Sequence, residues 1–92
     1  MLATARSAVR LGDGVRAVVL YTREGCSLCL TARAAILAVR REVAFAFTEV
    51  DIGWEGELYE DHKHDIPVVT IDGRRAFKYR VDAQELKKRL IP

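Results

Sequence analysis

Cys26 and Cys29 are the only two cysteines of the chain, and they stand three residues apart in Gly25-Cys26-Ser27-Leu28-Cys29. Disulfide exchange needs one exposed, stabilised thiolate and a second thiol close enough to resolve the mixed disulfide. Two cysteines at i and i+3 on a helix share a face and lie within disulfide reach, so this spacing meets the need. A bond across so small a loop removes little unfolded-state entropy, so reactivity explains the pair better than stability does. Two cysteines are also too few for the disulfide framework of a small secreted domain. The competing chemistry is zinc, with His62 and His64 as further ligands. Their H-x-H spacing, in a separate segment, is not the usual one for such a site.

The elements that must position the cysteines are legible on either side. Val15 to Tyr21 is a nearly unbroken apolar, β-branched run, the pattern of a central strand covered on both faces. Thr22-Arg23-Glu24-Gly25 turns the chain into Cys26. From Ser27 to about Glu42 the period becomes helical, with Leu28, Ala32, Ala35, Ile36 and Val39 as the inner stripe. Arg40 and Arg41 fall in the last turn, where the helix dipole favours cations. Cys26 therefore sits at a helix start, where free backbone N–H groups and the positive dipole end favour a thiolate. Cys29 lies one turn later and more buried, and Arg23 adds positive potential beside the pair.

Phe45 to Ile52 alternates as a second strand, and a β-α-β crossover between the two is expected to be right-handed and parallel. Trp54 to about His62 reads as a short helix, with Trp54 packed against the sheet. Pro67 to Ile71 and Arg75 to Tyr79 read as two strands joined around Asp72-Gly73, a hairpin signal because both residues tolerate positive φ. Asp82-Ala83-Gln84-Glu85 reads as a capping box opening a last helix with Leu86 and Leu90 inside. The order is β-α-β-α-β-β-α. Residues 1–14 are expected to be a flexible extension and 15–92 the domain.

The totals limit the alternatives. A chain of 92 residues is one domain's worth, and half of it is apolar, an ordinary globular composition. A net charge of +2 with 30% charged residues is too balanced to argue for nucleic acid. No apolar run approaches the ~18 residues of a membrane span. Met1 to Leu11 contains Arg and Ser and lacks acids, as transit peptides do, but it is short and is read as an extension ahead of the first strand. The expectation is a soluble, cytoplasmic monomer with no nucleic-acid or membrane partner. Arg23, Arg74, Arg75, Lys78 and Arg80 read either as a basic rim on the cysteine side or as ordinary solvated charges.

Taken together, the motifs resemble the thioredoxin superfamily and specifically its glutaredoxin-like branch, over about Val15 to Leu90. The resemblance is carried by Leu-Tyr-Thr-x-x-Gly-Cys-x-x-Cys from Leu20 to Cys29, by Ile66-Pro67-Val68-Val69 followed by Asp72-Gly73, and by the closing capped helix. It implies an α/β thioredoxin-like three-layer fold, a four-stranded mixed sheet with helices on both faces. It further implies that Pro67 is cis and lies against the cysteines, and that Ile66 offers backbone hydrogen bonds to a peptide or glutathione, like an added strand. The implied activity is that of a thiol–disulfide oxidoreductase without a bound cofactor. Cys26 attacks a substrate disulfide and Cys29 resolves it. Protein disulfides are the substrates, and glutathione or a thioredoxin-reductase-type donor is the reductant.

The chain departs from standard glutaredoxins at two places. Ser27-Leu28 replaces the usual Pro-Tyr between the cysteines. Lys78-Tyr79-Arg80-Val81-Asp82 replaces the segment with a Gly-Gly pair, where the γ-glutamyl end of glutathione docks. Tyr79 and Arg80 thus place bulk where glycines let the ligand approach, which predicts weak glutathione binding unless Arg80 turns to pair with a glutathione carboxylate. These departures keep a second function open, a redox-sensing or protein-binding module without efficient turnover.

Overall fold

Along the first strand, β1 (Ala17–Thr22), Val18 and Leu20 are fully buried while their neighbours are only half-buried. That alternation gives the sheet one dry face and one partly wet face. The computed structural model describes residues 16–91, and the extension expected over 1–14 lies outside them. The remaining elements are α1 (Ser27–Arg40), β2 (Ala46–Asp51), α2 (Glu57–His62), β3 (Val68–Ile71), β4 (Arg74–Lys78) and α3 (Ala83–Leu90). They follow the order read from the sequence. The four strands form one mixed sheet in the order β2-β1-β3-β4. β1 pairs in parallel with β2, from Ala17 opposite Ala46 to Thr22 opposite Asp51. It pairs antiparallel with β3, from Val18 opposite Ile71 to Tyr21 opposite Val68.

The core lies on the α1 and α3 side. Val18 and Leu20 meet Ala32, Ile36 and Val39 of α1, Val69 and Ile71 of β3, and Leu86 and Leu90 of α3. The stripe of α1 is Cys29, Ala32, Ile36 and Val39, and Leu28 is 43% exposed. The inner row thus starts at Cys29, one residue later than expected, and keeps the three- and four-residue steps of a helix. The opposite face is covered less. α2 buries none of its residues, and it meets the sheet through His62, whose ring stacks on Tyr21 at 4.5 Å. Full cover of both faces of β1 is therefore not found.

Several boundaries shift for local reasons. α1 stops at Arg40 because the Arg41 and Glu42 N–H groups reach back only to Ala38 and Val39. α2 starts at Glu57, after Gly56 at φ +100, a value that favours glycine. Trp54 thus precedes the helix, and it is 67% exposed instead of packed on the sheet. The hairpin forms as read, with Asp72 at φ 52 and Gly73 at φ 86. β4 carries a bulge, since Val69 faces Phe77 while Thr70 faces Arg75, leaving Ala76 as the extra residue. Asp82 caps α3 by accepting from the Gln84 and Glu85 N–H groups. The reciprocal half of the capping box is absent from the described bonds, because Glu85 pairs with Arg89 instead.

Candidate functional site

One end of the sheet collects Cys26, Cys29, Arg23, Ile66, Pro67 and Arg80. β1 and β2 run parallel, so Thr22 and Asp51 end there, while antiparallel β3 begins there and β4 finishes there. The turn after β1, the loop after β2, the loop into β3 and the exit from β4 therefore share one rim.

Cys26 is the N-cap of α1 in extended backbone, φ −91 and ψ 108. Gly25 at φ +86 makes the turn that delivers it, and no atom crowds the place of a side chain there, so glycine serves the backbone angle. The Cys26 N–H donates to the Arg23 carbonyl at 3.2 Å. The Cys26 Sγ in turn accepts the Cys29 N–H at 3.1 Å, the place a capping oxygen usually takes. The first turn of α1 holds no acidic residue, so no side-chain carboxylate there offsets the positive end of the helix. The two sulfurs are paired, with Cα atoms 5.2 Å apart. Cys29 is 3% exposed and Cys26 is half-buried, so a reagent reaches Cys26 first.

Arg23 turns its guanidinium over the Trp54 ring at 4.2 Å from the centroid, with the Tyr59 ring 5.9 Å away. The loop after β2 and the turn before Cys26 are thereby joined by a cation–π contact that sequence reasoning missed. On the other side, the Ile66–Pro67 peptide bond is cis, Pro67 is buried and Ile66 is half-buried. Among the described residues no backbone hydrogen bond engages the Ile66 N–H or C=O. The loop ahead of Ile66 is tied to β4 from two sides. Arg75 donates to Asp65 at 3.1 Å and to the Asp61 carbonyl at 3.4 Å. The Tyr79 hydroxyl donates to the His64 carbonyl at 3.1 Å and to Asp65 at 3.3 Å. The Arg75 guanidinium, above all, holds the Asp65 carboxyl below its ordinary range.

Tyr79 occupies the left-handed region, φ 69, a conformation that suits glycine better. That backbone angle and the hydroxyl bonds anchor the ring towards the Ile66–Pro67 loop. A cleft of about 270 Å³ stays open between α1 and the exit from β4, lined by Leu28, Thr31, Ala32, Tyr79, Arg80 and Asp82, among others. The bulk of Tyr79 and Arg80 therefore lines this cleft without filling it. Leu28 and Thr31 were missed as lining residues. Helical spacing holds the signal for Leu28, since a residue next to the inward-facing Cys29 turns outward.

The basic rim needs correction. Arg23, Lys78 and Arg80 lie at the cysteine end, but Arg74 starts β4 at the opposite end of the sheet. Arg75 is held by Asp65 and also approaches His62 Nδ1 at 3.2 Å. His62 is stacked on Tyr21, and among the described residues no three His, Cys, Asp or Glu side chains are grouped to hold a metal ion.

Comparison with known proteins agrees with this geometry. Residues 17–91 match the glutaredoxin-like domain family (DUF836). A curated Dictyostelium discoideum protein, "Glutaredoxin-like protein YDR286C homolog", is 38% identical over 72 residues, covering 72% of this chain and 67% of its own length. The X-ray structure of target protein XcR50 from X. campestris is 30% identical with a TM-score of 0.67, covering 82% of this chain and 99% of that one. Chloroplastic thioredoxin z superposes with a TM-score of 0.68 at 14% identity over 87% of this chain and 79% of its own, a likeness of fold.

Proposed function

The chain belongs to the glutaredoxin-like family of the thioredoxin superfamily, and on that premise we propose that it is a cytoplasmic thiol–disulfide oxidoreductase acting on protein disulfides. The fold and the Cys26–Cys29 pair support a redox role. The observation that carries the finer reading is the asymmetry of the pair. Cys26 caps a helix with its sulfur accepting a backbone N–H, and Cys29 is buried beneath it.

In the reaction, the Cys26 thiolate attacks one sulfur of a substrate disulfide. A Cys26–substrate bond forms, the substrate bond breaks, and the second substrate sulfur leaves as a thiolate that takes a proton from water. Cys29, deprotonated in turn, attacks Cys26 Sγ, forms the Cys26–Cys29 bond and releases the first substrate sulfur as a thiol. Two electrons pass to the substrate. Two equivalents of glutathione, or a thioredoxin-reductase-type donor, return them. The free backbone groups of Ile66 support docking of an extended peptide beside Cys26. Arg23, beside the cysteine turn, and Arg80, on the cleft next to α1, are the proposed contacts to that peptide or to a glutathione carboxylate.

The test is steady-state disulfide reduction by the monomeric protein, with glutathione and thioredoxin reductase as alternative donors. Turnover with either donor is expected, abolished by Cys26→Ser. Cys29→Ser is expected to accumulate a mixed disulfide at Cys26, seen by mass spectrometry. Oxidation that stops after one equivalent with both donors refutes turnover and leaves a sensor. Activity that survives Cys26→Ser refutes the role assignment.

A further inference from the structure

The end of the sheet away from the cysteines holds an open cleft of about 400 Å³ lined by Arg16, Ile71, Arg74, Arg75, Ala76 and Arg89. Its volume is in the range of small-ligand sites. Every polar side chain on that wall is an arginine, and the bonds those arginines make leave a consistent set of donors unused. Arg75 is committed elsewhere, since both its Nη groups point to Asp65, Asp61 and His62. Arg16 meets Asp72 through Nε at 2.5 Å and gives Nη1 to the Arg89 carbonyl at 3.3 Å. Arg89 meets Glu85 through Nε alone, at 3.1 Å, and its guanidinium lies 5.1 Å from the centre of the Phe77 ring. Arg74 makes no ion pair or side-chain hydrogen bond with any described residue.

The acids beside this wall, Asp72 and Glu85, are paired with its arginines. Asp72 accepts the Ala17 N–H on one oxygen and Arg16 Nε on the other, and Glu85 uses one oxygen on Arg89. Each carboxylate takes the Nε edge of a guanidinium and so fixes it, while the Nη groups of Arg89, Nη2 of Arg16 and the whole of Arg74 have no partner among the described residues. Guanidinium N–H groups match phosphate oxygens, and three guanidinium groups on one wall favour a ligand with more than one charged group. Six residues of β1 separate Arg16 from the cysteine turn, about 20 Å of strand.

We propose that Arg16, Arg74 and Arg89 form a site for a di- or triphosphate at the end of the sheet opposite Cys26. This site is independent of the redox chemistry, and it stands whether or not the dithiol turns over.

The probe is inorganic pyrophosphate, titrated into the full chain at constant ionic strength and followed by amide chemical shifts and calorimetry. Saturable binding at one site is expected, with shifts at Arg16, at 71–76 and at the last turn of α3. Arg74→Gln, an exposed change outside the core, is expected to weaken binding about tenfold or more, as the loss of a charged hydrogen bond does. Arg89→Gln is expected to weaken it similarly, and Arg33→Gln, an arginine of α1 paired with Glu49, to leave it unchanged. The rate of Cys26 alkylation stays at the parental value throughout, which separates this site from the redox site. A parallel titration with ATP distinguishes the source of the phosphate. Equal affinity marks a phosphate-only site, and tighter binding marks a nucleotide. Linear, unsaturated shifts, or an affinity that Arg74→Gln leaves intact, overturn the proposal.

Discussion

Replacing Asp82 separates two roles that one carboxylate performs at the start of α3. In Asp82→Ala the Gln84 and Glu85 N–H groups, at 2.9 and 3.1 Å from the aspartate oxygen, lose their acceptor. The position is exposed, so water replaces part of what is lost, and the cap is worth about 1 kcal/mol. Removing the negative charge from the positive end of the helix costs a further ~0.5 kcal/mol. The sum of about 1.5 kcal/mol reaches the whole fold, because α3 supplies Leu86 and Leu90 to the core. For a domain of this size each kcal/mol lowers the melting temperature by about 4–8 °C, so the variant is expected to melt about 6–12 °C lower. Asp82→Asn keeps an acceptor and loses only the charge, so its drop is about 2–4 °C by the same scale. Thermal melts followed by far-ultraviolet circular dichroism compare the three proteins. An alanine variant that melts with the parent, or an asparagine variant as unstable as the alanine one, refutes the capping argument.

Leu86 is fully buried, so Leu86→Ala is expected to destabilise by about 3 kcal/mol in urea, and a loss below about 1 kcal/mol means that the core closes over the gap. The Asp72 carboxyl is held below its ordinary range by the Ala17 N–H first and by Arg16 second. A carboxylate depressed in the folded state stabilises above the unfolded-chain value of about 4, and that contribution is lost as pH falls through its folded value. The urea midpoint is therefore expected to drop below about pH 4, and Asp72→Asn to flatten part of that drop, with Asp65, held down by Arg75, contributing in the same direction; an unchanged slope in Asp72→Asn counts against the linkage. Because the Tyr79 hydroxyl is anchored on His64 and Asp65, Tyr79→Gly is expected to change the apparent KM for glutathione by less than the roughly tenfold effect of one charged hydrogen bond. A larger gain in affinity, in this variant or with Arg80→Gly added, shows that these side chains obstruct the groove.

The sequence carried the local signals and lost the competitive ones. The Asp72-Gly73 turn and the Asp82 cap follow from backbone preference within a few residues, and the structure keeps them. The unbroken apolar run of the first strand, in contrast, hid the alternation that leaves Val18 and Leu20 alone fully buried within it. The placing of Leu28 failed by one step, because Leu28 and Cys29 are adjacent apolar residues and only packing against β1 decides which points inward. Trp54 and Glu85 failed for a shared reason. Each has two possible partners, and tertiary position gave Trp54 to Arg23 and Glu85 to Arg89. Arg74 was grouped with the cysteine rim by residue type, but the antiparallel return of β4 carries its first residue to the other end, and Arg75 is bound into the loop ahead of Ile66. At the site, the Cys26–Cys29 spacing was fully legible. The left-handed Tyr79 was not, because no local pattern requires that angle of a tyrosine.

The hydrogen bond from Arg16 to the Arg89 carbonyl brings the two ends of the described chain together. A domain whose ends touch can be relinked there and reopened elsewhere with its topology preserved. A short linker from residue 91 to residue 16, with new ends in the exposed turn around Arg41 and Glu42, gives such a circular permutant without disturbing a strand. Both ends of the described chain lie at the arginine-lined end, about one strand length from Cys26. A domain joined directly at residue 16 or residue 91 therefore sits at that end and leaves the cysteines on the far side, open to solution or to a partner.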